Sequence, residues 1–263
     1  MAAEKDDEID TILLSILYSD QDRHHVEQNT KPSHVAEASP APPPHLDHRH
    51  HLTSINAAIV TRELPSQGLS FQLWPAATSF LSLLDRDPSP LLLPPRSPLR
   101  ILELGSGTGL VGIAAAAILR AHVTLTDLPH VLPNLRFNAI ANAEVVTARG
   151  GSLVVRQLRW GVAEDIVEMG SAPAFDAIIA SDVVYYDHLI EPLLETIRVF
   201  VKEEVGFLMA HLRRWKKRDA VFFRNARKFL DVLRVHTDPP ATGSRTGVNI
   251  YRFTSRRRSR EAS

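Results

Sequence analysis

Short apolar runs alternate with longer segments of helical period along most of this chain, a pattern that predicts strands interleaved with helices. The first periodic stretch is Ile9, Ile12, Leu13, Ile16 and Leu17, spaced along one helical face behind an acidic run. It predicts a short docking helix within residues 1–18. Residues 19–48 then hold prolines and histidines and little that could form a core, the pattern of a disordered linker. Alternation resumes over residues 52–64, where Ile55, Ala57 and Ile59 predict a strand or hairpin that introduces the main domain, residues 49–255. Pro75 suits the first turn of a helix running through Leu84.

Residues 100–104 read as a buried strand that meets glycines and opens into an Ala-rich helix over 113–119. A second strand, 122–127, leads to a helix through Leu132 and Leu135 to Asn142, followed by a loop of small residues, 143–151. Further strands are expected at 153–161, 175–182, 205–212, 233–236 and 249–253, with helices over 189–203 and 216–230. Strands alternating with helices define an α/β domain, and the apolar centre of 175–182 suits a parallel strand covered on both faces.

Composition narrows the function classes. A chain of 263 residues, 44% hydrophobic, can bury one sizeable core. Thirty basic residues balance thirty acidic ones, so no net field argues for nucleic acid or an anionic membrane. The absence of cysteine excludes disulfides and thiol catalysis, and no apolar run reaches the length of a membrane span. An acidic N-terminus is unlike a signal peptide, so the expectation is a monomeric cytoplasmic protein, with the nucleus as a second compartment. The histidines between His24 and His51 follow no repeating ligand spacing and are read as solvated linker, with no metal site. Residues 256–263 form a basic tail.

The chemistry centres on Glu103-Leu104-Gly105-Ser106-Gly107-Thr108-Gly109. Glycines after a strand let a ligand approach the backbone where no Cβ intervenes, and the following helix offers unpaired N–H groups. Residues 107–112 formally match the G-x-G-x-x-G dinucleotide fingerprint, with Asp127 beyond. However, Gly105 and Ser106 separate strand from fingerprint, and Glu103 would repel a pyrophosphate while suiting the cationic amino-acid end of S-adenosylmethionine. Asp127 ends the second strand, where a carboxylate holds ribose hydroxyls or caps the next helix.

Five motifs in this order resemble the seven-strand S-adenosylmethionine-dependent methyltransferases: Leu73-Trp74-Pro75-Ala76-Ala77, the glycine loop, Asp127, Leu158-Arg159-Trp160-Gly161 and Asp182-Val183-Val184-Tyr185. More narrowly, they resemble the non-histone protein-lysine group (methyltransferase family 16, methyltransferase-like 21 type). The resemblance covers residues 50–255. It implies a Rossmann-like seven-strand sheet, mostly parallel with an antiparallel late strand, plus an N-terminal hairpin. It also implies that Trp74 and Trp160 border the cofactor, that residues 105–107 meet its amino-acid end and Asp127 its ribose, and that Ser181 lines the pocket. Glu103 and Gly109 complete that set. Asp182 and Tyr185 would carry a D-x-x-Y signature facing the incoming lysine of a protein substrate. One departure stands out: family members commonly place an acid before the third-strand tryptophan, and this chain has Arg159.

Lysine methylation requires a neutral amine, and deprotonating a free ammonium at pH 7 costs roughly 4.6 kcal/mol. Asp182 and Tyr185 are therefore expected to orient the amine, since an ordinary aspartate is too weak a base to remove the proton alone. Two other readings remain at this point. One is methylation of a small amine or another residue type by the same fold, and the other is a non-catalytic cofactor-binding scaffold or an oxidoreductase.

Overall fold

A computed structural model describes residues 45–91, 93–95, 97–170, 175–202, 204–240 and 246–256. The expected N-terminal helix, most of the expected linker and residues 257–263 of the tail lie outside the described residues.

Two strands open the described fold, β1 (Leu46–Leu52) and β2 (Ala57–Glu63), paired antiparallel as a hairpin. Helix α1 (Pro75–Arg86) begins with Pro75, whose missing N–H costs nothing in a first turn. The domain then runs β3 (Arg100–Leu104), α2 (Leu110–Leu119), β4 (His122–Asp127), α3 (Leu132–Ala141), α4 (Ala143–Ala148), β5 (Ser152–Gln157), α5 (Ala163–Glu168) and β6 (Ala177–Ser181). It ends with α6 (Ile190–Phe200), β7 (Gly206–Leu212), α7 (Lys216–Ala226), β8 (Leu230–Thr237) and β9 (Val248–Ser255).

The seven-strand sheet has the order β5-β4-β3-β6-β7-β9-β8, and β9 runs antiparallel to both neighbours. The expected sheet, its late antiparallel strand and the N-terminal hairpin are all present. From β3 the chain winds outward through β4 and β5, then returns to the other side of β3 with β6. That reversal opens a crevice at the carboxyl ends of β3 and β6.

Strand parity sorts the core into two layers. Ile101, Val123, Leu125, Ile179 and Leu208 pack with α1 and α2 on one face. Leu102, Leu104, Ile178, Phe207 and Met209 pack with Leu193 and Ile197 of α6 and Phe222 of α7 on the other. Each such side chain contributes about 1.5–3 kcal/mol of hydrophobic stabilisation. Ala114 to Ala117 are fully buried, and their small side chains let α2 lie close beneath α1.

The hairpin is fastened by side-chain amides in place of a third strand. Asn142 accepts from the Val60 N–H at 2.8 Å and donates to the Val60 carbonyl at 2.7 Å. Asn138 accepts from the Arg62 N–H at 2.8 Å and donates to the carbonyls of Arg62 at 3.2 Å and Thr108 at 2.9 Å. Spaced one turn apart, Asn138 on α3 and Asn142 just past its end, these asparagines present the donor and acceptor pairs that a neighbouring strand would supply.

Four expectations change. The hairpin starts at Leu46 rather than in the fifties: His48 and His50, read as linker, alternate along β1, and His48 pairs with Glu63 at 2.7 Å. Residues 143–148, read as loop, form α4, because a short run of helix-compatible residues follows Asn142, whose carbonyl accepts the first helical bond from the Val146 N–H. The third strand stops at Gln157, since Asp165 gathers the Arg159 N–H and side chain and turns residues 158–161 off the sheet. Arg256, placed in the tail, is anchored: its N–H donates to the Phe229 carbonyl and its guanidinium pairs with Asp231 at 3.0 Å.

Candidate active site

The loops leaving the carboxyl ends of β3, β4, β5, β6 and β7 converge on a cavity of about 380 Å³, within the usual range for a small-molecule site. Trp74, Gly105, Ser106, Gly107, Asp127, Trp160, Ser181, Asp182 and Tyr185 all line it, and Glu103 and Gly109 do not.

After β3 the backbone takes positive φ at Gly105 (62°) and Gly107 (55°). Side chains are excluded there for a second reason, crowding. A Cβ on Gly105 would lie 2.9 Å from Trp160 Cζ2, and one on Gly107 would lie 3.0 Å from the Ser70 carbonyl. Hydrogen bonds to β4 hold the loop still: Ser106 N–H donates to the Thr126 carbonyl at 2.9 Å, and Thr126 N–H donates back to Ser106 Oγ at 3.0 Å. Gly109 ends the turn and caps α2 without facing the cavity.

Glu103 corrects an expectation. Parity turns its side chain away from the crevice and under α2, where Gly112 has no Cβ to block it; a Cβ there would fall 2.5 Å from Glu103 Oε2. Burial pushes its carboxyl up to about 8, against the opposing pull of hydrogen bonds from Ser106 and the Gly112 N–H, while Asp127 nearby raises it further. Glu103 Oε2 has no hydrogen-bond partner. Its influence on a bound ligand is therefore indirect, through the loop it underlies.

Asp127 stands at the tip of β4 as expected. It accepts from Gly107 N–H at 2.7 Å and from its neighbour Leu128 N–H at 2.8 Å. Burial raises its pKa, and these two donors and the nearby His130 work against that rise. The bond to Gly107 fastens the glycine loop to β4 and sets the carboxylate at the cavity wall.

Asp182 and Tyr185 follow β6. Asp182 adopts φ 52°, a left-handed conformation that aspartate tolerates better than most residues. Its carboxylate reaches across to the end of β7, accepting from Leu212 N–H at 3.0 Å and from the Arg214 guanidinium at 3.0 Å. Behind it, buried His211 lies 3.8 Å from Asp182 Oδ1 and 3.1 Å from buried Asp219. The expected lysine-facing carboxylate is thus in the cavity but already engaged. Tyr185 packs its ring edgewise to Trp160 at 6.4 Å between centroids.

The Arg159 departure has a local explanation. Its guanidinium forks onto Asp165 at 2.8 and 2.9 Å, and Gln157 reaches the same carboxylate at 3.0 Å. Arg159's hydrogen bonds hold the Asp165 carboxyl well below the usual range against the cost of burial. The acid that steadies the tryptophan loop comes from α5 rather than from the position before Trp160.

Arg214, Trp215 and Ser70 also line the cavity and were not anticipated. Arg214 and Trp215 sit just past β7, and in a parallel sheet every carboxyl-end loop is a candidate, which is the signal that could have found them. Arg214 also stands 5.1 Å over the Trp74 ring, whose indole N–H donates to the Leu69 carbonyl at 2.9 Å. Among the described residues no cluster of His, Asp and Glu could hold a metal ion, and no helix is long and apolar enough to cross a membrane.

Comparison with known proteins bears on this geometry. A family model described as lysine methyltransferase matches residues 55–229. The protein-lysine methyltransferase METTL21E of Bos taurus is 32% identical over 190 residues, covering 72% of this chain and 61% of that relative. The protein N-lysine methyltransferase METTL21A of Danio rerio is 33% identical over 153 residues, covering 58% of this chain and 65% of that relative. The chain spans less than two thirds of the length of these relatives. Among solved structures, protein PH0793 of Pyrococcus horikoshii superposes with a TM-score of 0.51 at 12% identity, covering 80% of this chain and 72% of that one, a likeness of fold.

Proposed function

Since the chain belongs to the lysine methyltransferase family, we propose that it transfers a methyl group from S-adenosylmethionine to a lysine side chain of a protein. The observation that carries the reading is the convergence of a glycine cradle, a β4-tip carboxylate and a second carboxylate, Asp182, on one cavity.

The residues fit the cofactor. Gly105 and Gly107 line the cavity with backbone alone, and Asp127 beside them offers acceptors for vicinal hydroxyls. Trp160 and Trp74 give the cavity aromatic walls that exclude water. When bound, S-adenosylmethionine would supply a methyl carbon attached to a sulfonium sulfur, which leaves as a neutral thioether. This chain must then present a neutral amine in line with that carbon.

Asp182 attracts the acceptor as an ammonium, and its charge opposes loss of the proton. The apolar and aromatic walls work the other way, because desolvation favours the neutral amine over the charged one. Tyr185, edge-on to Trp160, narrows the wall beside Asp182 and orients the amine. The proton leaves to solvent rather than to a strong base on the protein. Incubating the chain with methyl-tritiated S-adenosylmethionine and cell lysate tests the reading. A discrete labelled protein supports it, and label confined to small molecules counts against it.

A further inference from the structure

We propose that Arg214 is a built-in competitor for the acceptor amine, its guanidinium filling the ammonium place between Asp182 and Trp74 until an incoming lysine displaces it. The inference rests on the lysine-methylation reading and names what controls access to that site.

Only two carboxylates line the cavity among the described residues, Asp127 and Asp182. Asp127, held by two backbone N–H groups at the β4 tip, is given over to the cofactor's hydroxyls in that reading. Asp182 is therefore the carboxylate that a cationic acceptor would meet. One of its oxygens accepts from the Leu212 N–H and the other is held by Arg214, both at 3.0 Å. The same guanidinium lies 5.1 Å over the Trp74 ring. A carboxylate on one side and an aromatic face on the other form the receptor that an alkylammonium ion prefers, and here it already contains a cation.

Three properties suit Arg214 to that role. As a guanidinium it has donors only, so it offers no lone pair to a methyl donor. Its side chain is 19% exposed, so it has a route out to solvent. Finally, Leu212 N–H holds Asp182 independently, so the carboxylate keeps its place when the arginine leaves.

The test uses the full chain, methyl-tritiated S-adenosylmethionine and a dilution series of lysate protein as acceptor. Arg214→Gln is expected to lower the half-saturating lysate concentration about twofold to fivefold, the size of a partly exposed ion pair. Arg214→Lys, which keeps a charge but loses the planar fork, is expected to fall between Arg214→Gln and the wild type. Methylguanidinium should then inhibit Arg214→Gln competitively with lysate protein and leave the wild type little affected. Calorimetry with S-adenosylmethionine verifies that each variant is folded. If Arg214 instead braces the site, both variants raise the half-saturating concentration or weaken cofactor binding, and the proposal is overturned. Absence of any labelled protein with the wild-type chain overturns the methylation reading itself, and this inference with it.

Discussion

Trp160 closes over Gly105 so tightly that a Cβ on the glycine would stand 2.9 Å from the indole carbon Cζ2, with Val183 Cγ1 at 3.2 Å on the other side. The third-strand loop and the β6 loop thus both rest on the first glycine of the β3 turn, which makes that turn the floor of the cavity.

Gly105→Ala should weaken S-adenosylmethionine binding at least about tenfold, since it combines a left-handed backbone with displacement of Trp160. Gly150→Ala is the control. Gly150 also has positive φ, 86°, but nothing lies within 4 Å of its Cβ position and it does not line the cavity. It should lower stability by about 1 kcal/mol and leave binding within about twofold. Calorimetric titration of both variants checks the pair, and equal losses of affinity would contradict the crowding argument.

Asn138 links β2 to the glycine loop through one amide, so its removal should be felt in both. Asn138→Ala strands the Arg62 N–H and the Thr108 carbonyl, while the Arg62 carbonyl keeps its bond from Asn134 at 3.1 Å, at an expected cost of about 2–4 kcal/mol in urea unfolding. A change below about 0.5 kcal/mol would show that water replaces the amide without loss.

Glu103 gives the fold a pH dependence of defined sign. Its folded pKa, raised by burial to about 8 from 4.5, means that folding takes up a proton between those values. The stability it confers is fully present below about pH 4.5 and is lost as pH rises towards 8. The full difference is on the order of 5 kcal/mol. Glu103→Gln should flatten the slope of unfolding free energy between pH 5 and 8. Parallel slopes in variant and wild type would show that Glu103 does not carry the proton.

Asp165 acts in the opposite direction. Arg159 holds its pKa below the ordinary value, so its contribution is present above the unfolded pKa near 3.8 and disappears as pH falls through the lower folded value. Asp165→Asn should loosen the Trp160 loop and cost about 2 kcal/mol, with tryptophan fluorescence shifting before global unfolding. Coincident transitions would place Asp165 outside control of that loop.

The strand tips were the legible part of this chain. Gly105, Asp127, Ser181 and Asp182 could be placed because a parallel sheet brings all its carboxyl ends to one edge, whatever the details between them. Glu103 was misjudged by one position of strand parity: the motif marks it as near the ligand, but alternation turns it beneath α2. Arg214 was missed because it falls between the expected strand 205–212 and the expected helix 216–230, and its partners, Asp182 and Trp74, are distant in sequence. Asn138 and Asn142 were equally opaque, since only the folded register shows them pairing with β2.

The central claim is that lysine is the methylated residue. Acid hydrolysis of protein labelled from methyl-tritiated S-adenosylmethionine, followed by chromatography against methylated lysine standards, tests it most directly. The account predicts that the label co-migrates with methyl-lysine and is lost when Asp182→Ala replaces the wild-type chain. Label in another amino acid, or undiminished labelling by Asp182→Ala with cofactor binding intact, would contradict it.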